Sequence, residues 1–223
     1  GRDETLAAKP RTAEEIREHI RDYRAMVAHL DEAVGRILDR LETDGLRENT
    51  LIVFAGDNGL AVGQHGLMGK QNLYDHSVRV PLILAGPGLP RGARREGICT
   101  LSDLFPTLCR LCGVDLPGSV SGHDLTDWLQ GSSKPARDEL LLSYDGHIRG
   151  LTDRRWKLIE YAEGTTQLFD LEADPFETRN LAADPEKSEL LHDLRTRLKE
   201  AAEASGEAKH PLAGGFWARR TDL

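Results

Sequence analysis

The chain has 223 residues and a formal net charge of −8, with acidic and basic side chains interleaved. That length can bury a sizeable core, as one large domain or two small ones. The lack of a basic patch argues against a nucleic-acid partner, no apolar run is long enough to span a membrane, and an anionic substrate would need local cations against the overall negative field.

Residues 1 to 11 read as a loose lead-in. The chain begins with Gly1, carries no signal peptide, and is therefore expected to be a fragment or a processed chain. Thr12 and Glu15 form a capping box. From there Ile16, Ile20, Tyr23, Val27, Leu30, Val34, Ile37 and Leu41 recur every three or four residues. This predicts one long amphipathic helix that ends near Asp44-Gly45 and covers one face of a sheet.

Thr50 to Pro81 is the stretch around which the rest is organised. Leu51 to Ala55 is a continuous apolar run, which suits a strand buried on both faces of a parallel sheet. Gly56 breaks the run, and Asp57, Asn58 and Gly59 follow. Ligands in open α/β sheets sit beyond the carboxyl ends of strands, so this pair offers hard oxygen donors where a cation could sit. His65 lies farther on between glycines, and then comes Lys70. Each piece has a plainer reading: Asp-Asn-Gly as an ordinary turn, Lys70 as a solvated charge, His65 as a polar loop residue. Together, after one buried strand, they suggest an anion site. The next strand is expected over Val80 to Ala85, with Pro81 at its start. The connecting loop of about 25 residues is long, and such loops are usually functional.

Gly86 to Pro90 is a turn cluster, and Arg91 to Arg95 reads as solvated surface. Asp103 is expected to cap a helix with Pro106 in its first turn and Gly113 at its end. Cys109 and Cys112 have the spacing of a redox or zinc motif, but lie beside Leu108 and Leu111 with no second pair. They read as small core residues. Gly131 to Pro135 marks an expected boundary, giving domains 1–130 and 131–223. Short strands are expected at Leu140–Tyr144, Ile148–Thr152, Trp156–Tyr161 and Gln167–Leu171, paired antiparallel. A closing helix is expected over Pro185 to Ala204, followed by a weakly patterned, flexible tail.

The order strand-GDNG, GQHG, GK, LY and RVP resembles the C-terminal half of the type I sulfatases, of the alkaline phosphatase superfamily. SDLFPTLCRLCGVDLPGSVSGHDL and WKLIEY…QLFDLEADPFETRNLA resemble two further blocks of that family, so the likeness runs over about residues 12 to 200. The resemblance implies an α/β fold: part of an alkaline-phosphatase-like α/β/α sheet, followed by a small antiparallel sheet-plus-helix unit. It implies that Asp57 and Asn58 are two ligands of a divalent cation, calcium ahead of magnesium. Lys70 then grips the sulfate oxygens, and His65 lines the pocket as a catalytic or substrate contact. By the resemblance the formylglycine nucleophile and the first metal carboxylates are expected outside this chain, and none of its three cysteines precedes the required Pro and Arg.

The implied activity is hydrolysis of a sulfate ester, small molecule or glycan, completed by a missing N-terminal half. The chain alone is expected to be silent. Its open strand edge calls for that half or an oligomer as cover, with no nucleic acid or membrane as partner. Family habit points to a periplasmic or secreted location. A phosphonate monoester hydrolase or phosphodiesterase of the same superfamily, or a non-catalytic scaffold fragment, stand as alternatives.

Overall fold

A computed structural model describes residues 6–223. The first element is α1, Ala13–Thr43, opened by the Thr12/Glu15 capping box and closed at Asp44. No residue of α1 is buried, and Met26, Val27, Leu30 and Ile37 are all exposed. The expectation that this helix covers a sheet face is corrected here. A helix of 31 residues is about 46 Å long, whereas a four-residue strand spans about 13 Å. The strands that follow it are too short to receive its apolar stripe.

Those strands are β1, Ile52–Ala55, and β2, Leu82–Ala85, which pair antiparallel in a two-stranded sheet. The parallel, doubly buried arrangement is therefore also corrected: β1 is only partly covered, and Ala55 is exposed. A solid apolar run does not report strand direction, because neighbours decide pairing. Between the strands lies α2, Asp75–Val78, a single turn.

Helix α3, Leu104–Cys112, continues from a 3₁₀ turn at Leu101–Asp103 and ends at Gly113 in the left-handed region. Thr100, not Asp103, begins this helical stretch, and Asp103 returns its carboxylate to the Thr100 amide at 2.7 Å. Asp103 is wholly buried. It also accepts from the His123 amide at 2.8 Å and from both Arg137 guanidinium nitrogens, at 2.5 and 2.8 Å. Burial alone would raise its pKa, but Arg137 and the two amides outweigh burial and hold it at about 2. Cys109 is buried but Cys112 is exposed, so only the first is a core residue. Arg95 is also not simple surface: its Nε donates to Trp128 O and Leu129 O, at the end of α4, Thr126–Gln130.

The C-terminal sheet runs β3–β4–β5–β6, all antiparallel: Leu140–Tyr144, Ile148–Thr152, Trp156–Tyr161 and Thr166–Asp170. Its alternation places side chains on two buried faces. Leu151, Leu158 and Leu168 pack against Leu194 and Leu198 of α5, Ser188–Ala204. Ile148, Ile159, Tyr161 and Phe169 pack on the other side against Leu73 and Tyr74 of the β1–β2 loop. The tail is packed, contrary to the expectation of flexibility. Helix α6, Gly214–Arg219, buries Phe216, and Arg220 donates to buried Glu160 at 2.6 Å and to Tyr161 O at 3.0 Å.

Candidate functional site

Asp57 and Asn58 lie two and three residues past the end of β1. The Asn58 amide donates to Asp57 Oδ1 at 2.8 Å, and Asn58 Nδ2 donates to Gly59 O at 2.9 Å. Gly59 is required here by close approach. Its amide donates to Ser77 O at 2.9 Å, and a Cβ would stand 1.9 Å from His76 O. The start of the long loop is thereby fixed against α2, near its end. Lys70 returns to the same place, with its Nζ donating to Asn58 Oδ1 at 3.0 Å. Asp57, Asn58 and Lys70 are thus gathered at one strand end.

The loop between them is tightly wound. Val62 at φ 44° and His65 at φ 53° occupy the left-handed region, an uncommon state for a β-branched residue above all. Gly63, at φ 99°, sits so close to α1 that a Cβ would meet Ile16 Cγ2 at 2.5 Å. Arg11 adds a bond from Nη1 to Gly66 O at 2.5 Å.

His65 does not join the Asp57–Asn58–Lys70 hydrogen bonds. Its ring stacks on Tyr74, with centroids 3.9 Å apart and planes 6° from parallel. Partial burial lowers its pKa, opposed by a hydrogen bond to the Phe176 backbone and by Asp174. Tyr74 is in turn fixed through Gln167, which donates to its hydroxyl at 2.9 Å. His76 stands 5.7 Å from His65, and neither of its buried ring nitrogens has a hydrogen-bond partner among the described residues. Burial, with His65 and Lys157 nearby, takes its pKa down to about 4, so it is neutral at pH 7.

The sequence reading missed a buried ionic group behind this loop. Lys157 of β5 is completely buried and pairs with Asp75 and, at 2.7 Å, with Glu177. The signal was a lysine within the apolar run Trp156–Tyr161, where side chains alternate between two covered faces.

Asp57 and Asn58 present adjacent carboxylate and amide oxygens, the donor chemistry of a hard cation. They make an incomplete shell: among the described residues there is no group of three or more His, Cys, Asp or Glu side chains that could hold a metal. The Lys70 ammonium already rests on Asn58 Oδ1, so the oxygen favours positive charge.

A family model described as Sulfatase matches residues 2–114, and one for the N-sulphoglucosamine sulphohydrolase C-terminal region matches residues 63–204. A choline-sulfatase of Rhizobium meliloti is 35% identical over 182 residues, covering 78% of this chain and 35% of the relative. A solved structure described as BT4656 in complex with its substrate D-glucosamine-2-N,6-O-disulfate superposes with TM-score 0.80 at 28% identity, covering 89% of this chain and 43% of that one. A phosphonate monoester hydrolase of Agrobacterium radiobacter superposes with TM-score 0.79 at 28% identity, over 87% of this chain and 43% of that one. The chain therefore spans less than half the length of these relatives. Its mixed helix and sheet architecture, with antiparallel sheets, is that of neighbours with the alkaline-phosphatase-like fold. The two family models and the shared architecture together establish that the chain belongs to the sulfatase family.

Proposed function

We propose that this chain is the C-terminal part of a sulfate-ester hydrolase, organised as units 1–130 and 131–223. In this reading the upstream part of the whole protein supplies a formylglycine nucleophile and the remaining metal ligands. The observation that carries the reading is the convergence of Asp57, Asn58 and Lys70 at the end of β1, in a chain of this family. Bound there, a divalent cation, calcium ahead of magnesium, would neutralise sulfate oxygens and orient the attack on sulfur.

The chain's own residues have separate tasks. Asp57 and Asn58 hold the cation through oxygen. Lys70, one short hydrogen bond away, places an ammonium on the charge that develops as the ester bond breaks. His65, held flat on Tyr74, presents a largely neutral imidazole at the pocket wall, suited to a hydrogen bond with the ester's hydroxyls. Without the upstream part these groups can only polarise a bound ester, so the isolated chain is proposed to be silent.

The experiment is Asp57→Ala in the whole protein, with metal content and hydrolysis of an aryl sulfate and an aryl phosphonate monoester measured in parallel. Loss of the cation together with loss of sulfate-ester turnover is expected. Undiminished metal content would remove Asp57 from the site. The phosphonate reading is kept because a phosphonate monoester hydrolase superposes almost as well as the sulfate-substrate complex. Faster turnover of the phosphonate than of the sulfate would favour it.

A further inference from the structure

We propose that Lys157 is a positioning residue for the Asp57–Asn58 site, acting through Asp75 and α2; this rests on the cation-binding reading above. Lys157 lies on the face of β5 that also carries Ile159 and Tyr161, against Leu73 and Tyr74. A lysine buried in such surroundings is costly unless it is paired. It is paired twice. Its Nζ donates to Asp75, and to Glu177 Oε1 at 2.7 Å. Glu177 closes the group by accepting the Asp75 amide on Oε2 at 2.7 Å. Glu177 is itself in the left-handed region at φ 56°, a strained backbone that only its surroundings hold in place.

Asp75 is the first residue of α2, and the next two residues carry the carbonyls that hold Gly59. His76 O fills the space where a Cβ would stand, and Ser77 O accepts the Gly59 amide. Gly59 follows Asn58 directly and accepts its side-chain amide. The ionic group thus fixes the turn, the turn fixes Gly59, and Gly59 fixes the direction in which Asn58 offers its oxygen. The same segment reaches the other side of the loop, since Tyr74, which precedes Asp75, stacks on the His65 ring. One buried ammonium therefore ties both the strand-end pair and the histidine to the C-terminal sheet.

The test uses the whole protein. Lys157→Met leaves buried Glu177 without its cation and Asp75 with only the 3.7 Å pair to Arg79, and Lys157→Arg keeps the charge. We expect Lys157→Met to weaken calcium affinity, measured by calorimetry, and to lower kcat, each by about 10–100-fold, as for other groups that orient ligands from behind. Lys157→Arg should recover a substantial part of both. Amide exchange at Gly59 should accelerate in Lys157→Met. Leu198→Ala, on the opposite face of the same sheet, is the control for stability alone and should leave calcium affinity and Gly59 exchange unchanged. If Lys157→Met does not fold, Asp75→Asn carries the test, because that side chain is 21% exposed and its loss is milder. Unchanged calcium affinity and Gly59 exchange in the folded variant would overturn the proposal. So would equal losses in Leu198→Ala. If Asp57→Ala also retains its metal, the cation-site reading fails; if it loses metal while Lys157→Met does not, only this inference fails.

Discussion

Replacing Asp103 with Asn should be among the most destabilising single changes that preserve side-chain shape. The carboxylate accepts four bonds, two from Arg137 and one each from the Thr100 and His123 amides. An Asn offers one acceptor oxygen and one NH₂, so two of those donors lose their partner and face another donor. Arg137 is itself only 16% exposed and would keep a poorly compensated charge. Breaking a buried ion pair by removing one partner costs about 3–5 kcal/mol. For a chain of this size that is a fall in Tm of about 10 °C.

The pH dependence gives a second reading of the same contact. The folded carboxyl titrates at about 2 against an ordinary 3.8, which corresponds to about 2 kcal/mol of linked stability. A lowered pKa stabilises the fold above about pH 4, and that contribution disappears as pH falls toward 2. Urea denaturation of both proteins at pH 7 and pH 3 is the assay. The difference should be full at pH 7 and smaller at pH 3. A difference under about 1 kcal/mol at pH 7, or one that grows on acidification, would refute the reasoning.

Arg220→Ala should leave Glu160 buried with Arg195 as its remaining charge partner, cost about 3–5 kcal/mol, and expose residues 206–223 to limited proteolysis; an unchanged cleavage pattern would count against it. Gly59→Ala forces a Cβ onto the His76 carbonyl, so it should abolish calcium binding in the whole protein while a Gly35→Ala control, where a Cβ meets nothing, binds normally; calorimetry decides. Lys70→Ala should lower kcat for a sulfate ester by about two to three orders of magnitude, the usual loss for one charge-stabilising donor. A near-normal rate in steady-state assays would return Lys70 to the solvated surface.

The C-terminal sheet was legible almost residue by residue because each strand is short, alternates, and ends in a turn such as Asp145-Gly146. The Thr12 cap and the Gly113 stop were legible for the same reason: they are local backbone chemistry. What failed depended on neighbours. The run Leu51–Ala55 looks the same whether its partner is parallel or antiparallel, and the stripe of α1 looks the same whether or not a surface lies under it. The tail was misjudged because its anchors, buried Phe216 and the charged Arg220, are few and sit in one short helix and its end, which leaves no hydrophobic period to read. At the site, order along the chain was enough to suggest Asp57, Asn58 and Lys70. A lysine inside the run Trp156–Tyr161 was the one visible signal of the Lys157 group, but its partners were not legible, since Asp75, Lys157 and Glu177 are joined only by folding.

The start of α1 and the residue just before its cap touch the site loop, through Ile16 against Gly63 and Arg11 on the Gly66 carbonyl. Farther along, the same helix carries the bare apolar row Met26, Val27, Leu30 and Ile37. At 1.5 Å per residue that row lies about 15 to 32 Å along the axis from Ile16. One helix therefore carries both the brace of the His65 loop and a stretch of apolar surface that the described residues leave bare.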